Sequence, residues 1–212
     1  MRVDDIKSQS ERIIAELGGG VCDWLPVLER SGGRPSAEVA DRALVLLAML
    51  QIYFGAPTNA IADWIGNNRL HHAMSRSDRA LLSKPREQLS EAEKTGIYWH
   101  LEALWALVWA GSLIDRLPIE TPVGSNLASL VPNIRVGEDA AQFQRRFKLR
   151  PFDEIYAMLD LYYRAHWYAR EGNLRGYSTA PFNLDIIMER RQALEWACDA
   201  ELQDWDEAPT ST

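Results

Sequence analysis

Between Ile97 and Ile114 only His100, Glu102, Gly111 and Ser112 interrupt a run of apolar residues, and Ala103 to Ala110 carries no polar side chain at all. A helix that is apolar on every side must be buried, either in a protein core or in a membrane. A membrane span needs about 20 consecutive apolar residues, and His100 and Glu102 fall inside this run. The stretch therefore reads as a buried core helix, and the rest of the chain has to supply its cover. Ser90 and Glu93 form a capping-box pattern at its start, and Glu91 and Glu93 suit the positive end of the helix dipole. Pro118 is expected to end it, with Arg116 in its last turn, so the central helix is expected over about 90–117.

The flanking sequence repeats the helical period. Asp4 to Leu17 places Ile6, Ile13, Ile14 and Leu17 on one side and stops at Gly18-Gly19-Gly20. Cys22 to Leu28 reads as a short apolar turn or helix. Ser36 is expected to cap a helix running to Gly55, and Pro57 or Thr58 opens another with Ile61, Trp64 and Ile65. Asn67 to Arg86 is the least regular part. It holds Arg69, Arg76, Arg79, Lys84 and Arg86 against Asp78 alone and reads as a solvated connector, the alternative being a basic loop that grips an anionic ligand, for which no phosphate cradle or base-stacking platform is present. Beyond the central helix come a short charged helix over 138–148, a long one from Pro151 to Gly172, and a last one capped by Asn183. No segment alternates at period two, so no strand is expected. The fold class is all-α: a single-domain bundle of about eight helices over 1–212. An N-terminal helix and loop take 1–35, the core 36–200 and a polar tail 201–212.

A net charge of −7 argues against nucleic acid or an anionic membrane as the principal partner. Cys22 and Cys198, the only cysteines, lack any zinc spacing and read as reduced, packed thiols. With the polar N-terminal residues, a cytoplasmic location is expected.

Charged residues on apolar helix faces carry more information. Residues three and four apart share a face. Glu102 has Tyr98, Trp99, Trp105 and Ala106 as face neighbours. Glu189 lies beside Ile186, Ala193 and Trp196, and Arg190 beside Ile186, Ile187, Ala193 and Leu194. Arg191, Gln192, Glu195 and Asp199 mark the opposite, wet face. Arg164 sits among Leu161, Trp167 and Tyr168, with Asp160 a turn back as an ion-pair partner, and His166 lies on the stripe of Ile155, Leu159 and Tyr162. Isolated buried charges are costly and need partners. The expectation is a semi-buried polar network of Glu102, Arg164, His166, Glu189 and Arg190, supported by Trp105, Trp167 and Trp196. In it Glu189 faces a buried arginine, so that Glu189→Ala would cost about 3–5 kcal/mol. Such a network either locks helix register or lines a pocket in which an arginine binds an anion and His166, with Glu102 or Glu189, handles a proton. A metal site built on His100, Glu102, His166 and Glu189 lacks the Glu-x-x-His spacing of helical bundles. No glycine-framed serine, Cys/His pair or phosphate loop is present. Neither a metal nor another cofactor is expected.

The segments EALWALVWAG (Glu102 to Gly111), LRPFDEI (Leu149 to Ile155), LYYRAHW (Leu161 to Trp167), ERRQALEW (Glu189 to Trp196) and WDEAPTST (Trp205 to Thr212) resemble domain of unknown function family 4272, whose members are mostly bacterial. The resemblance runs over roughly Ser36 to Thr212 and is strongest from Ser90 onward. It selects Glu102, Arg164, His166, Trp167, Glu189, Arg190 and Trp196, and in the tail Trp205, Asp206 and Thr210. Glu207 and Ser211 depart from the acids of the family's ending. The family carries no assigned activity, so the resemblance implies a fold and a residue set but no reaction. Two function classes follow. The first is a non-catalytic binding or interaction protein, for example an immunity or accessory protein with a protein partner. The second is a small-molecule ligand-binding protein or enzyme using the Arg/His/Glu cluster.

Overall fold

The computed structural model describes residues 2–209. Among them are nine α-helices and no strand: α1 (Val3–Glu16), α2 (Ser36–Tyr53), α3 (Thr58–Asn67), α4 (Arg76–Leu82), α5 (Glu91–Ala110), α6 (Leu127–Leu130), α7 (Ala141–Arg146), α8 (Phe152–Arg175) and α9 (Leu184–Cys198). Single 3-10 turns follow α3, α4 and α6, and another, Trp205–Glu207, lies in the tail. The all-α expectation holds.

Two dry helices lie side by side at the centre. In α5 every residue from Glu102 to Ala110 is buried, and in α2 every residue from Arg42 to Leu50 is. Helix α5 packs chiefly on α2 and α9, α9 on α8, and α8 on α1, which gives a layered order of α2, α5, α9, α8 and α1. One continuous apolar core runs from Ile6 to Ala208. The sequence reading made α5 the sole centre, but α2 is buried to the same degree. Its many Leu, Ile, Val and Ala residues cover more than the one stripe that an outer helix needs.

The capping box at the start of α5 forms as read: Glu93 N donates to Ser90 Oγ at 3.2 Å and Ser90 N donates to Glu93 Oε2 at 2.8 Å. The end does not. Helix α5 stops at Ala110, well before Pro118, and Ser112 takes φ +58°. The last carbonyls are met from outside the helix. Arg150 N donates to Ala110 O at 2.8 Å and Lys148 N to Gly111 O at 3.0 Å. Arg150 Nε donates to Trp109 O at 2.8 Å, and its guanidinium sits over the Trp109 ring at 4.8 Å. The positive group at the helix end is thus Arg150, on a distant segment, and Arg116 is exposed. Gly111 permits this closure, because a Cβ there would lie 2.2 Å from the Phe147 ring.

Other boundaries move for local reasons. Helix α8 continues through Gly172 to Arg175 and stops at Gly176, which takes the left-handed conformation at φ +74°. Ser36 lies inside α2 and accepts from Leu149 N at 3.3 Å instead of capping the helix. Of the two readings of Cys22 to Leu28 the turn holds, with Leu25 N donating to Cys22 O at 3.3 Å, and no helix forms. Asn183 caps α9, its Oδ1 accepting from Asp185 N and Ile186 N at 3.0 and 3.2 Å. The basic stretch 67–86 is not merely a connector: it contains α4, whose Asp78 is fully buried.

Gly111→Ala is expected to drive a methyl group into the Phe147 ring and to lower stability by about 1–3 kcal/mol in chemical denaturation. A variant as stable as wild type would show that this closure is loosely packed.

Candidate functional site

Glu102 and Arg190 meet across the interface of α5 and α9. Arg190 Nε and Nη2 donate to Glu102 Oε2 at 2.9 and 2.6 Å. Arg190 Nη1 donates to Pro118 O at 2.7 Å and to the Tyr162 hydroxyl at 2.9 Å, and Nη2 also donates to Thr121 O at 2.9 Å. A guanidinium has five N–H groups, and here five contacts engage them. Glu102 Oε1 in turn accepts from Val123 N at 3.0 Å. The pair therefore ties α5, α8 and α9 to the 117–123 loop. Burial pushes the Tyr162 phenol up to about 12, with Arg190 working against it, so Tyr162 stays protonated.

The other candidates do not join this pair. Arg164 grips Asp160, with Nε and Nη2 each at 2.9 Å from a carboxylate oxygen, donates to Pro26 O at 3.1 Å, and lies 3.5 Å from Glu11. It fastens α8 to α1 and to the loop before α2. His166 faces Arg191, whose Nη1 is 2.9 Å from His166 Nδ1. An arginine can only donate, so Nδ1 accepts and the ring proton sits on Nε2. Burial, with Arg191 and Arg170 adding to it, pulls His166 down to about 4, so the ring is neutral at pH 7.

Arg191 is 2 % exposed, and this corrects its assignment to a wet face. It is covered by α8 and also ion-pairs Glu195 at 3.0 Å. Glu189 has no hydrogen-bond or ion-pair partner among the described residues. Burial, with Asp185 and Glu102 adding to it, raises its pKa to about 7. The expected Glu189–arginine pair is absent because the Arg190 fork is filled by Glu102.

Of the aromatic residues, Trp105 is buried against Gly124, Trp167 meets Trp24 edge-on at 6.1 Å, and Trp196 packs on Trp205 at 5.5 Å. No cluster of three or more His, Cys, Asp and Glu side chains able to hold a metal occurs among the described residues.

A second polar centre escaped the sequence reading. Arg42, on α2, ion-pairs Asp78, on α4, with both side chains essentially unexposed. Arg42 Nη1 also donates to Ala73 O at 3.0 Å. Burial works to raise the Asp78 pKa, and Arg42, His100 and the Ser75 N–H together outweigh it, so Asp78 is held ionised. Trp205 lies over the Arg42 guanidinium at 4.4 Å, and Arg34 lies over the Trp196 ring at 4.2 Å, which makes a stack of Arg34, Trp196, Trp205 and Arg42. The tail is pinned there. Asp204 accepts from Arg76 N at 3.1 Å, Asp206 accepts from Ser77 N at 2.9 Å and from Ser77 Oγ at 2.7 Å, and Glu207 pairs with Arg76. Trp205 and Asp206 thus join α2 and α4, while Thr210 lies outside the described residues. Arg42 has Val39, Val45 and Leu46 as apolar face neighbours, but Glu38 one turn back is acidic and offers a local partner, so its pairing with Asp78 is less visible than the case of Glu102. Ser75-x-x-Asp78 is also a capping-box spacing, and it forms.

Glu102 is paired with Arg190, Arg164 with Asp160 and His166 with Arg191, while Glu189 stands unpaired among the described residues. None of four surface cavities is lined by Glu102, Arg164, His166, Glu189 or Arg190, whereas Arg42, Trp196 and Trp205 line one. A family model described as domain of unknown function (DUF4272) matches residues 6–208, beginning well before Ser36. No curated protein and no solved structure matches the chain.

Glu189→Gln tests the electrostatics. The folded-state pKa lies above the unfolded value, so folding is penalised as pH rises through about 7 and is not penalised below about 4.5. The variant is expected to exceed wild type by about 3 kcal/mol at pH 8 and to match it near pH 4. Denaturant melts at both pH values measure this. A loss of stability at pH 8 would mean that Glu189 has a cationic partner after all.

Proposed function

The chain belongs to the DUF4272 family, and from that premise we propose that it is a non-catalytic binding protein that takes a basic protein partner, in the manner of an immunity or accessory protein. The observation that carries this reading is an aromatic ridge left on the surface. Phe54 meets Tyr53 at 5.3 Å, Tyr53 meets Tyr98 at 5.0 Å and Tyr98 meets Trp99 at 5.7 Å. Phe54 is 50 % exposed, and Tyr53 and Tyr98 are each more than a third exposed. Clustered, solvated aromatics are the side chains that dominate protein interfaces. A net charge of −7 favours a partner of opposite sign.

The competing reading, an enzyme or ligand-binding protein working through Arg164, His166, Glu189 and Arg190, finds less support. Those arginines are already engaged with side chains of the same molecule, and none of the four surface cavities described above is lined by them. No helix among the described residues is long and apolar enough to cross a membrane. The two cysteines are free and buried, which suits a reducing compartment. We take the chain as a single cytoplasmic domain of bacterial origin.

Affinity capture from the native host, followed by titration with the purified partner, tests the proposal. A basic protein is expected to bind with 1:1 stoichiometry, more weakly as salt rises. A Phe54→Ser/Tyr98→Ser variant should bind about tenfold or more weakly with its melting temperature kept. Equal binding by wild type and variant would move the interface away from the ridge. Turnover of a small molecule with no stoichiometric protein partner would overturn the proposal.

A further inference from the structure

A cavity of about 780 Å³ opens between α1, the first turns of α8 and the 115–120 loop. Helix α1 gives it one whole face, on which Ile6, Ser10, Ile13 and Leu17 follow one another at helical spacing. Leu117, Met158 and Leu161 extend this apolar floor. No residue of the aromatic ridge and none of the charged candidates above lines it. A volume of this size, apolar walls and a few placed polar groups are the ordinary features of a small-molecule site.

The charges around the cavity do not cancel. Arg150 is committed to Trp109 O and Ile114 O, each at 2.8 Å, and to Glu154 at 3.3 Å, and Asp153 is paired with Arg30. Asp115 and Glu120 are exposed wall residues whose carboxylates bond no other described residue. Glu16 has only Arg12 near it, at 3.9 Å, with both side chains well exposed. Against these three stands Arg116, also exposed and also unpaired among the described residues. The helix ends point the same way. No basic residue lies in the last turn of α1, so its negative end is unmet beside Glu16 and Leu17, whereas Asp153 and Glu154 already meet the positive end of α8. Within the floor, Ser10 is 3 % exposed and its hydroxyl bonds no other described residue, while the exposed Ser8 of the same helix donates to Asp4 O at 2.9 Å. Buried polar groups without a partner are rare, and this one lines the cavity.

We propose that this cavity binds a small organic cation, an ammonium group carried on an apolar aliphatic or aromatic body. The body lies on the floor that α1 and α8 share, and the Ser10 hydroxyl serves a polar substituent along it. The ammonium has donors and no acceptor, which matches the carboxylates of Asp115 and Glu120. A bound cation bridges α1, the 115–120 loop and α8 and so steadies all three. This site is independent of the aromatic ridge and stands or falls apart from it.

Titration calorimetry and thermal melts of the full chain with decylamine and phenylpropylamine test the assignment, at fixed ionic strength and below micelle-forming concentrations. Each amine is compared with the carboxylate of the same body, and methylamine supplies the charge without a body. At least one of the two amines is expected to bind saturably at one site and to raise the melting temperature. Its carboxylate counterpart should bind at least about tenfold more weakly, and methylamine should not bind. Asp115→Asn with Glu120→Gln should weaken the amine about fivefold, and Arg116→Gln should tighten it about twofold. All three residues are exposed and unpaired, so the fold is kept. Glu87→Gln with Glu201→Gln makes the same change in net charge at exposed residues outside the cavity and should leave binding unchanged. Absence of saturable binding by both amines, equal binding by amine and carboxylate, or equal weakening by the two double variants would each overturn the proposal.

Discussion

The guanidinium of Arg190 is the constraint around which the rest is arranged. A buried cation is tolerable only if its donors find acceptors, and Arg190 makes five hydrogen bonds to four acceptor atoms, Glu102 Oε2, the Tyr162 hydroxyl, Pro118 O and Thr121 O. These acceptors lie on α5, on α8 and in the 117–123 loop, so satisfying one side chain fixes three elements relative to α9. An apolar interface between α5 and α9 would tolerate sliding by a turn at small cost. A saturated ion pair does not, because a shifted register would leave charge in a dry interior.

The second centre works differently. Arg42 and Asp78 also face each other in the core, but the fork of Arg42 is only half used, and Trp205 from the tail closes over it. The difference between the two centres is one of hydrogen-bond accounting. Arg190 is saturated, whereas Arg42 keeps two buried donors without hydrogen-bond partners. Both centres lean on the tail or the 117–123 loop, segments without a helix long enough to hold them by its own main-chain bonds. Each of those segments is held instead by main-chain hydrogen bonds to buried or half-buried side chains.

Much of this could be read from the sequence where the determinant is local. Ser90 with Glu93, Asn183 at the start of α9, and Arg164 with Asp160 four residues away all depend on spacing along one chain segment. Glu102 stood out because a carboxylate in a dry helix has nowhere to hide. What could not be read depends on how helices cross. Arg190 and Arg191 are neighbours in sequence and both are buried, yet only the packing of α8 and α5 against α9 decides that one meets Glu102 and the other His166. The end of α5 is set by Phe147 and Arg150, distant in sequence, and so Pro118 misled. Arg42 has Glu38 one turn back as a local partner, and only the packing of α4 on α2 decides that it pairs with Asp78 instead.

The central claim is that Glu102 and Arg190 act as one unit that sets the register of α5, α8 and α9. A double-mutant cycle measures this directly, using Glu102→Leu, Arg190→Met and both together in denaturant unfolding. If the pair is a unit, each single variant strands a buried charge and loses about 3–5 kcal/mol, while the double variant recovers at least about 2 kcal/mol of the summed loss. Additive losses, with no coupling between the two sites, would contradict the account.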